Sequence, residues 1–294
     1  MIRNFLEEKY GAYITNQFLN DRNEVIRENL NVDGVEEQQE VIRVLKSLKD
    51  INGNSLVPDK FWNNPVDWGL DFSSWIGNFD NKDLFFVGAE PHVYNNYQLV
   101  YDFGNYKGKD LTETAKEHFN RESDIWHYLT KIFVEDMTDS NITAFLSRCY
   151  ITDLCHIVPK YCGQVKDICK KLSISASDWK VFRTAVAQRF LLKEIEAVNP
   201  EFVILHGNPS REFFCKELGL NFTGVCPIED SKFTIQTGKL NGYKVISIPH
   251  LKGDVRNKLW ICKKYPGRPE SAKRILNGLI DNPQVCISAY ATCS

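Results

Sequence analysis

Residues 84–92 read LFFVGAEPH: four apolar side chains, a glycine and an alanine, and then a carboxylate, a proline and a histidine. A short apolar run that stops at a glycine is typical of a strand buried on both faces of a parallel sheet. Three similar runs follow, separated by long stretches with helical periodicity. The four predicted strands are Leu84 to Gly88, Cys149 to Leu154, Phe202 to His206 and Lys244 to Ile248.

This alternation predicts an α/β fold, a three-layer sandwich with a mostly parallel four-stranded central sheet flanked by helices. The longest predicted helix runs from Asp178 to Val198 and ends before Pro200, since proline cannot continue a helix. After the third strand, we expect Asn208 to be the N-cap and Pro209 a first-turn residue of another helix.

The first eighty residues show helical spacing and then loop composition. Phe5, Tyr10 and Ile14 recur at roughly helical intervals, and residues 52–79 mix Gly, Asn and Pro with three tryptophans. We expect residues 1–80 to form a helical and loop-like N-terminal extension, packed on a main domain of residues 81–294.

The overall charge is nearly balanced. Lys plus Arg number 36 and Asp plus Glu 38, a formal net charge of -2, which excludes a protein that coats nucleic acid over its whole surface. The apolar runs are far shorter than the roughly 20 residues of a membrane helix, and the N-terminus carries charges where a secretory signal would be apolar. We expect a cytoplasmic protein with no membrane partner and favour a monomer.

The nine cysteines do not form the C-x-x-C pairs of a zinc or redox site. Cys149, Cys155, Cys162 and Cys169 fall at intervals of six, seven and seven, so either an iron–sulfur or zinc site or a set of buried thiols fits the spacing. We favour buried structural thiols and predict no metal and no cofactor.

The chemistry of an open parallel sheet is expected at the carboxyl ends of its strands. The segments that follow the four strands are Gly88 to His92, Thr152 to His156, His206 to Asn208 and Pro249 to Gly253. Three of these four segments carry a group able to act as an acid, a base or a hydrogen-bonding partner.

The ordered set of segments resembles the uracil-DNA glycosylase superfamily over roughly residues 82 to 260. The resemblance is carried by four segments: Phe86 to Pro91; Tyr150 to Leu154 with Val158 and Pro159; Glu194 and Ile195 with Asn199 to Gly207; and Pro249 with His250. Phe103 follows Glu90 by 13 residues, similar to the offset of the base-stacking Phe in that family.

The resemblance implies roles for these residues if the chemistry is glycosylic. Glu90 would position water and stabilise the sugar cation, and His250 would donate a hydrogen bond to the departing base. Phe103 would stack on the flipped base. The base pocket would also include Gly88, Pro91, His92 and Asp153, and the phosphates would be held by Lys252, Arg256 and Lys258.

Two positions depart from the family pattern. Asp153 stands where family members read uracil with Asn, and Leu251 follows His250 where they have Pro. An ionised carboxylate only accepts hydrogen bonds, so Asp153 would repel O4 of uracil but could accept from the amino group of cytosine. Either the substrate base differs from uracil, or the chain is a catalytically silent module that binds a nucleotide or a single strand.

A local basic excess occurs in residues 252–274, where eight Lys and Arg face two acidic residues. Trp260 and Tyr265 lie within it, a mixture suited to nucleic acid. DNA is therefore the predicted partner, although a solvated charged face is the alternative.

Structural interpretations compete with the functional ones. Glu90 could be a solvated loop carboxylate or a helix cap, and Asp153 could cap the next segment or pair with a basic side chain. We expect His156 and His206 to be structural.

Overall fold

The computed structural model describes residues 2–19, 21–23, 35–49, 52–62, 66–70, 74–75, 79, 82–89, 134, 138–159, 162, 164–227 and 234–250. Among the described helices, none combines the length and the apolar composition needed to cross a membrane.

The described elements alternate in the way that an α/β fold requires. The helices are α1 (Ile2–Tyr10), α2 (Ala12–Phe18), α3 (Val35–Ser47), a 3₁₀ helix (Asp59–Trp62), α4 (Asp139–Ser147), α5 (Val165–Leu172), α6 (Ala176–Val198) and α7 (Asn208–Lys216). The strands are β1 (Trp68–Leu70), β2 (Ser74–Trp75), β3 (Leu84–Gly88), β4 (Cys149–Asp153), β5 (Ile157–Pro159), β6 (Phe202–His206), β7 (Phe222–Pro227), β8 (Thr234–Leu240) and β9 (Tyr243–Ile248).

Four parallel strands form the centre of the main sheet, in the order β4-β3-β6-β9. They are the four predicted strands, with boundaries that differ by at most one residue. The predicted mostly parallel central sheet is therefore confirmed. Its core strands are buried along almost their whole length, as expected for strands covered by helices on both faces.

Antiparallel strands extend this sheet at both edges. β2 pairs with β4 on one side, and the β8 and β7 ribbon continues from β9 on the other. β1 and β5 form a separate two-stranded sheet. None of these strands was predicted, because they are very short or alternate small and polar residues rather than forming apolar runs.

Helices cover the two faces of the sheet and complete the three layers. On one face, Phe85 and Val203 join a large apolar cluster with α1, α3, α6 and α7. On the opposite face, Phe86 contacts Phe145 of α4 at 6.3 Å between ring centroids. The Cys149 thiol also donates a hydrogen bond to the Phe145 carbonyl.

The N-terminal region shares the apolar cluster of the sheet. Phe5 and Leu6 of α1 and Val41 and Leu45 of α3 are buried in it. Gly11, with φ of +91°, separates α1 from α2, so the predicted helical spacing is realised as two helices. The division of the chain at residue 80 stays a prediction.

The predicted start of the long helix is close to the observed one, whereas the predicted N-cap of the following helix is wrong. Helix α6 begins two residues before the predicted Asp178, and Ser175 and Asp178 close a capping box there. The predicted N-cap at Asn208 is wrong, because α7 already begins at this residue and Gly207 occupies the N-cap position. Pro209 lies in the first turn, as predicted.

Candidate functional site

The carboxyl ends of the parallel strands place one row of residues side by side across the sheet. Gly88 pairs with Asp153, and His206 pairs with Ile248. The central strands β3 and β6 are paired up to the residues just before Gly88 and His206. Neighbouring strands lie about 4.8 Å apart, so the Asp153 and His206 backbones are separated by about 10 Å.

The Asp153 carboxylate lies directly over Gly88. A Cβ added to Gly88 would collide with Oδ1 of Asp153 and lie 3.1 Å from its Cγ. Any larger residue at this position would displace the carboxylate. The glycine thus permits a close approach of the Asp153 side chain to the end of the neighbouring strand.

The Gly88 carbonyl is held by two hydrogen bonds. It accepts one from the Leu154 backbone N–H at 3.2 Å and one from the Ser210 hydroxyl at 2.9 Å. Ser210 is fully buried in the first turn of α7. Sequence reasoning missed Ser210, because a serine near a helix start usually acts within its own turn. The two donors fix the last residue of β3.

His250 packs against the end of β6. Its ring stacks on that of His206 with 4.6 Å between centroids and 23° between planes. A Cβ added to Gly207 would lie 3.2 Å from Cβ and Cδ2 of His250, and Gly207 has φ of +89°. Because Gly207 has no side chain, the His250 side chain can pack directly against the Gly207 backbone.

His206 was predicted to be a structural residue, and it lies in direct contact with His250 of the candidate site. Burial, and to a smaller extent the nearby His250, lower the pKa of His206 to about 3. His206 is therefore neutral near pH 7, and the two rings stack without repulsion between two imidazolium cations. The sequence indicated its location, because His206 is the last residue of a predicted central strand. Nothing in the sequence indicated that its ring stacks on His250.

A buried ion pair lies behind the strand that carries Asp153. The Lys9 ammonium donates hydrogen bonds to both carboxylate oxygens of Glu194 at 2.8 Å and to the Thr152 hydroxyl at 3.2 Å. The Tyr150 hydroxyl donates to the same carboxylate at 2.6 Å. Because Thr152 directly precedes Asp153, this network supports the end of β4 from the opposite face. Sequence reasoning missed Lys9, since a lysine on an amphipathic helix is usually exposed.

His156 belongs to the core on the same side. Its Nε2 lies 3.1 Å from the Lys9 carbonyl, and its ring meets the rings of Tyr10 and Phe190 edge-on. Burial and the Lys9 charge lower the pKa of His156 well below its usual range. This enclosed, neutral imidazole fits the predicted structural role.

The four regularly spaced cysteines, interpreted from the sequence as buried structural thiols, are thiols in the structure. Cys149, Cys155 and Cys162 are buried, and Cys169 is half-buried. In the part of the chain that the structure describes, no group of three or more His, Cys, Asp or Glu side chains could hold a metal ion.

Several predicted site residues lie outside the described residues. They are Glu90, Pro91, His92 and Phe103 in the first loop, and Lys252, Arg256 and Lys258 in the basic stretch 252–274. Among the described ones, the structure brings Gly88, Asp153 and His250 together at the carboxyl ends of the parallel strands.

The family model of the uracil-DNA glycosylase superfamily matches residues 75–274, more than half of the 294-residue chain. The protein belongs to the uracil-DNA glycosylase superfamily. The resemblance carried by the strand-end motifs is thus confirmed, and with it the three-layer α/β sandwich of that superfamily. A comparison with curated proteins found no matching relative. The superfamily match includes the whole row of strand ends, whereas Lys9 lies outside it.

Proposed function

We propose that this superfamily member is a DNA glycosylase that hydrolyses the N-glycosidic bond of a flipped, damaged or deaminated base in DNA. The observation that carries the proposal is the position of His250 and Asp153 at the carboxyl ends of the parallel strands. Gly88, which has no side chain, lies between them. Ligands bind at this edge in open α/β sheets.

The proposed reaction adds water across the bond between C1′ and the base nitrogen. As that bond breaks, positive charge grows on the sugar and negative charge on the base. His250 donates a hydrogen bond to the departing base, which stabilises its charge. Glu90 positions the water and stabilises the sugar cation. The hydroxyl of the water ends on C1′, and its other proton passes through solvent to the nitrogen of the released base.

Asp153 is proposed to read the edge of the base. Its carboxylate accepts hydrogen bonds and cannot donate them when ionised, so it favours a base that presents an amino group. Its location over Gly88 places it above the end of β3, the strand that lies between β4 and β6. Gly88, Pro91 and His92 would form the remainder of the base pocket, with Phe103 stacking on the base.

DNA is the proposed partner, held through phosphate contacts of Lys252, Arg256 and Lys258. Because the chain as a whole is nearly neutral, this contact is expected to be local and strongly dependent on salt. A cytoplasmic location and a monomeric state belong to the same proposal.

The test is to incubate the protein with labelled duplexes that carry uracil, mismatched thymine, hypoxanthine, other deaminated bases or a damaged base that keeps its amino group, such as 5-hydroxycytosine, and to measure abasic sites. We expect release from at least one substrate, and loss of release in Glu90→Gln and His250→Ala. Folded protein that releases no base from any of these duplexes would contradict the enzymatic proposal.

A second candidate function is a catalytically silent module that binds a nucleotide or a single strand. The carboxylate of Asp153 at the position where family members use Asn favours it. In that case Glu90→Gln would leave binding of single-stranded DNA intact or strengthen it, because a repulsive charge is removed. Binding that is absent or insensitive to salt would count against this function, since phosphate contacts release counterions.

A further inference from the structure

The register that pairs β3 with β6 ends one residue before the end of each strand, at Val87 and Leu205. Beyond this point Gly88 remains paired with Asp153 of β4, whereas β6 remains paired with β9 to its last residue. The carboxyl ends of the strands therefore divide into one side that carries Asp153 and another that carries His250.

The Ser210 hydroxyl connects these two sides. It extends from α7, the helix that follows β6, to the Gly88 carbonyl of β3 at 2.9 Å. The same oxygen lies 3.5 Å from the carbonyl of His206, four residues earlier in the chain. A serine in a helix often bonds the carbonyl four residues back, but a hydroxyl has a single hydrogen to donate. The shorter distance assigns that hydrogen to Gly88, so the bond joins two different elements.

The peptide that begins at Gly88 is fixed by donors from two elements. Its carbonyl accepts from the Leu154 N–H, beyond the end of β4, and from Ser210 of α7. A carbonyl oxygen has two lone pairs, and the peptide unit between Gly88 and Ala89 is planar. The unit therefore cannot rotate without breaking one of the two bonds. Ser210 is 0% exposed, so bulk water does not compete for its hydroxyl.

Both ends of this connection touch the candidate site. A Cβ at Gly88 would lie 3.1 Å from Cγ of Asp153, and a Cβ at Gly207 would lie 3.2 Å from His250. Gly207 is the N-cap of the helix that carries Ser210. A change in the distance between Ser210 and Gly88 would therefore move the backbone under Asp153 relative to the backbone under His250.

We propose that Ser210 is a positioning residue that sets the distance between the Asp153 and His250 side chains, and with it the fit of the base between them. This role rests on the proposed glycosylase function, in which both side chains contact the base. Ser210 itself contacts neither base nor sugar and acts through the Gly88 carbonyl. Alanine has almost the same volume as serine, so the effect of the hydroxyl can be separated from that of packing.

The first test is base release under single turnover, with the full-length protein in excess over the duplex from which the wild type releases a base fastest. Ser210→Ala should slow release at least about tenfold, because a misplacement of reacting groups by about 1 Å costs that much or more. The protein in excess saturates the duplex, so the rate reports the step after binding.

Ser210→Thr is the conservative variant. In a helix, threonine can direct its hydroxyl towards the carbonyl four residues back, and the Ser210 hydroxyl already lies on that side. The threonine hydroxyl can therefore keep the bond to Gly88. Release by Ser210→Thr should stay within about threefold of the wild-type rate.

Phe213→Leu is the matched control for stability. Phe213 lies in the same helix and is buried in the apolar cluster. The change should lower thermal stability at least as much as Ser210→Ala, because it removes buried apolar volume. It should leave the rate of base release unchanged, because the Ser210 hydroxyl keeps its partner.

Amide hydrogen exchange tests the same connection without turnover. The Leu154 N–H shares the Gly88 carbonyl with Ser210, whereas the Phe202 N–H donates to the Asp83 carbonyl at the opposite end of the strands, at 2.9 Å. Ser210→Ala should raise the exchange rate of Leu154 relative to Phe202 at least about threefold, because local opening needs one bond fewer. Taking the ratio cancels a change in global stability.

Two kinds of failure are distinguishable. If the wild type releases no base from any duplex, the proposed function is contradicted, and an unchanged exchange ratio would also overturn the connection between Ser210 and Gly88. If the wild type releases a base, equal rates in the wild type and Ser210→Ala would overturn the role of Ser210 alone. Equal losses in Ser210→Ala and either Ser210→Thr or Phe213→Leu, with all variants folded by circular dichroism, would overturn it as well.

Discussion

Lys9 and Glu194 form an ion pair that is almost completely removed from solvent, with side chains 2% and 1% exposed. The two residues are 185 positions apart in sequence, yet the ammonium lies 2.8 Å from each carboxylate oxygen. Tyr150 and Thr152 supply further hydrogen bonds to the carboxylate. The first helix thus contributes the cation that neutralises a carboxylate behind the strand of Asp153.

Replacing Lys9 by methionine is expected to destabilise the protein strongly. The change leaves a buried, unpaired carboxylate at Glu194, a defect that costs about 3–5 kcal/mol. Combining Lys9→Met with Glu194→Gln removes the charge and should recover at least about 1 kcal/mol of that loss. Urea denaturation followed by circular dichroism measures both free energies of unfolding.

Lys193→Met provides the control for this pair. Lys193 bonds Glu8 at 3.1 Å, but both side chains are largely exposed, so its loss should change the free energy of unfolding by less than about 1 kcal/mol. Equal effects of Lys9→Met and Lys193→Met would show that the buried pair contributes no more than an exposed one.

Gly88→Ala is expected to displace the Asp153 carboxylate. The new methyl group would collide with Oδ1 of Asp153, at a cost of about 1–3 kcal/mol in stability, and base recognition should weaken. Asp153→Ala in the same chain removes the collision, so the two changes should couple by at least about 1 kcal/mol. Strictly additive free energies of unfolding would show that the two side chains do not contact each other.

Asp153→Asn is expected to shift base preference towards uracil. An amide both donates and accepts hydrogen bonds, whereas the carboxylate only accepts. Release or binding of uracil-containing DNA should rise at least about tenfold relative to the wild type. Asp83→Asn is the matched control, because Asp83 precedes β3 at its opposite end and bonds Arg148 on the surface. An unchanged preference in Asp153→Asn would remove Asp153 from the proposed base pocket.

His206 should make the stability of the protein depend on pH. Its folded-state pKa of about 3 lies below the ordinary value, so between about pH 6.5 and pH 3 the unfolded chain binds a proton that the folded chain does not. Stability is therefore lost as the pH falls through this window.

His206→Phe should remove this contribution. At pH 5 the variant should be about 2 kcal/mol more stable, relative to the wild type, than it is at pH 8. Denaturation at both pH values measures the difference. Asn208→Ala, an exposed change at the same edge, should leave the pH dependence unchanged, and an identical profile for His206→Phe would contradict the low pKa.

The parallel strands were predictable because each is a short apolar run buried on both faces. β3, for example, is Leu-Phe-Phe-Val-Gly, and its four apolar side chains are at most 1% exposed. The β8 strand lacks this signal, since Thr234–Leu240 mixes Thr, Gln, Gly and Lys. It becomes a strand by pairing with β9, and such long-range pairing leaves little trace in local composition.

The sequence predicted where the candidate site lies, but it predicted few of the side-chain contacts within the site. The rule for strand ends predicted where Gly88, Asp153 and His250 lie, and the structure has all three at the carboxyl ends of the parallel strands; their roles stay predictions. The bond from Ser210 to the Gly88 carbonyl and the stacking of His206 on His250 depend on how α7 and the β9 end meet the sheet. Side-chain packing of this kind has no periodic signature in the sequence.

The buried ion pair shows that the range matched by the family model is smaller than the unit that folds with its charges paired. The matched range of residues 75–274 retains the Glu194 carboxylate and omits the Lys9 cation. A polypeptide trimmed to that range would enclose an uncompensated negative charge behind the strand of Asp153. Any transplant of this sheet into another protein must therefore carry the first helix with it, or replace Glu194 by a neutral residue.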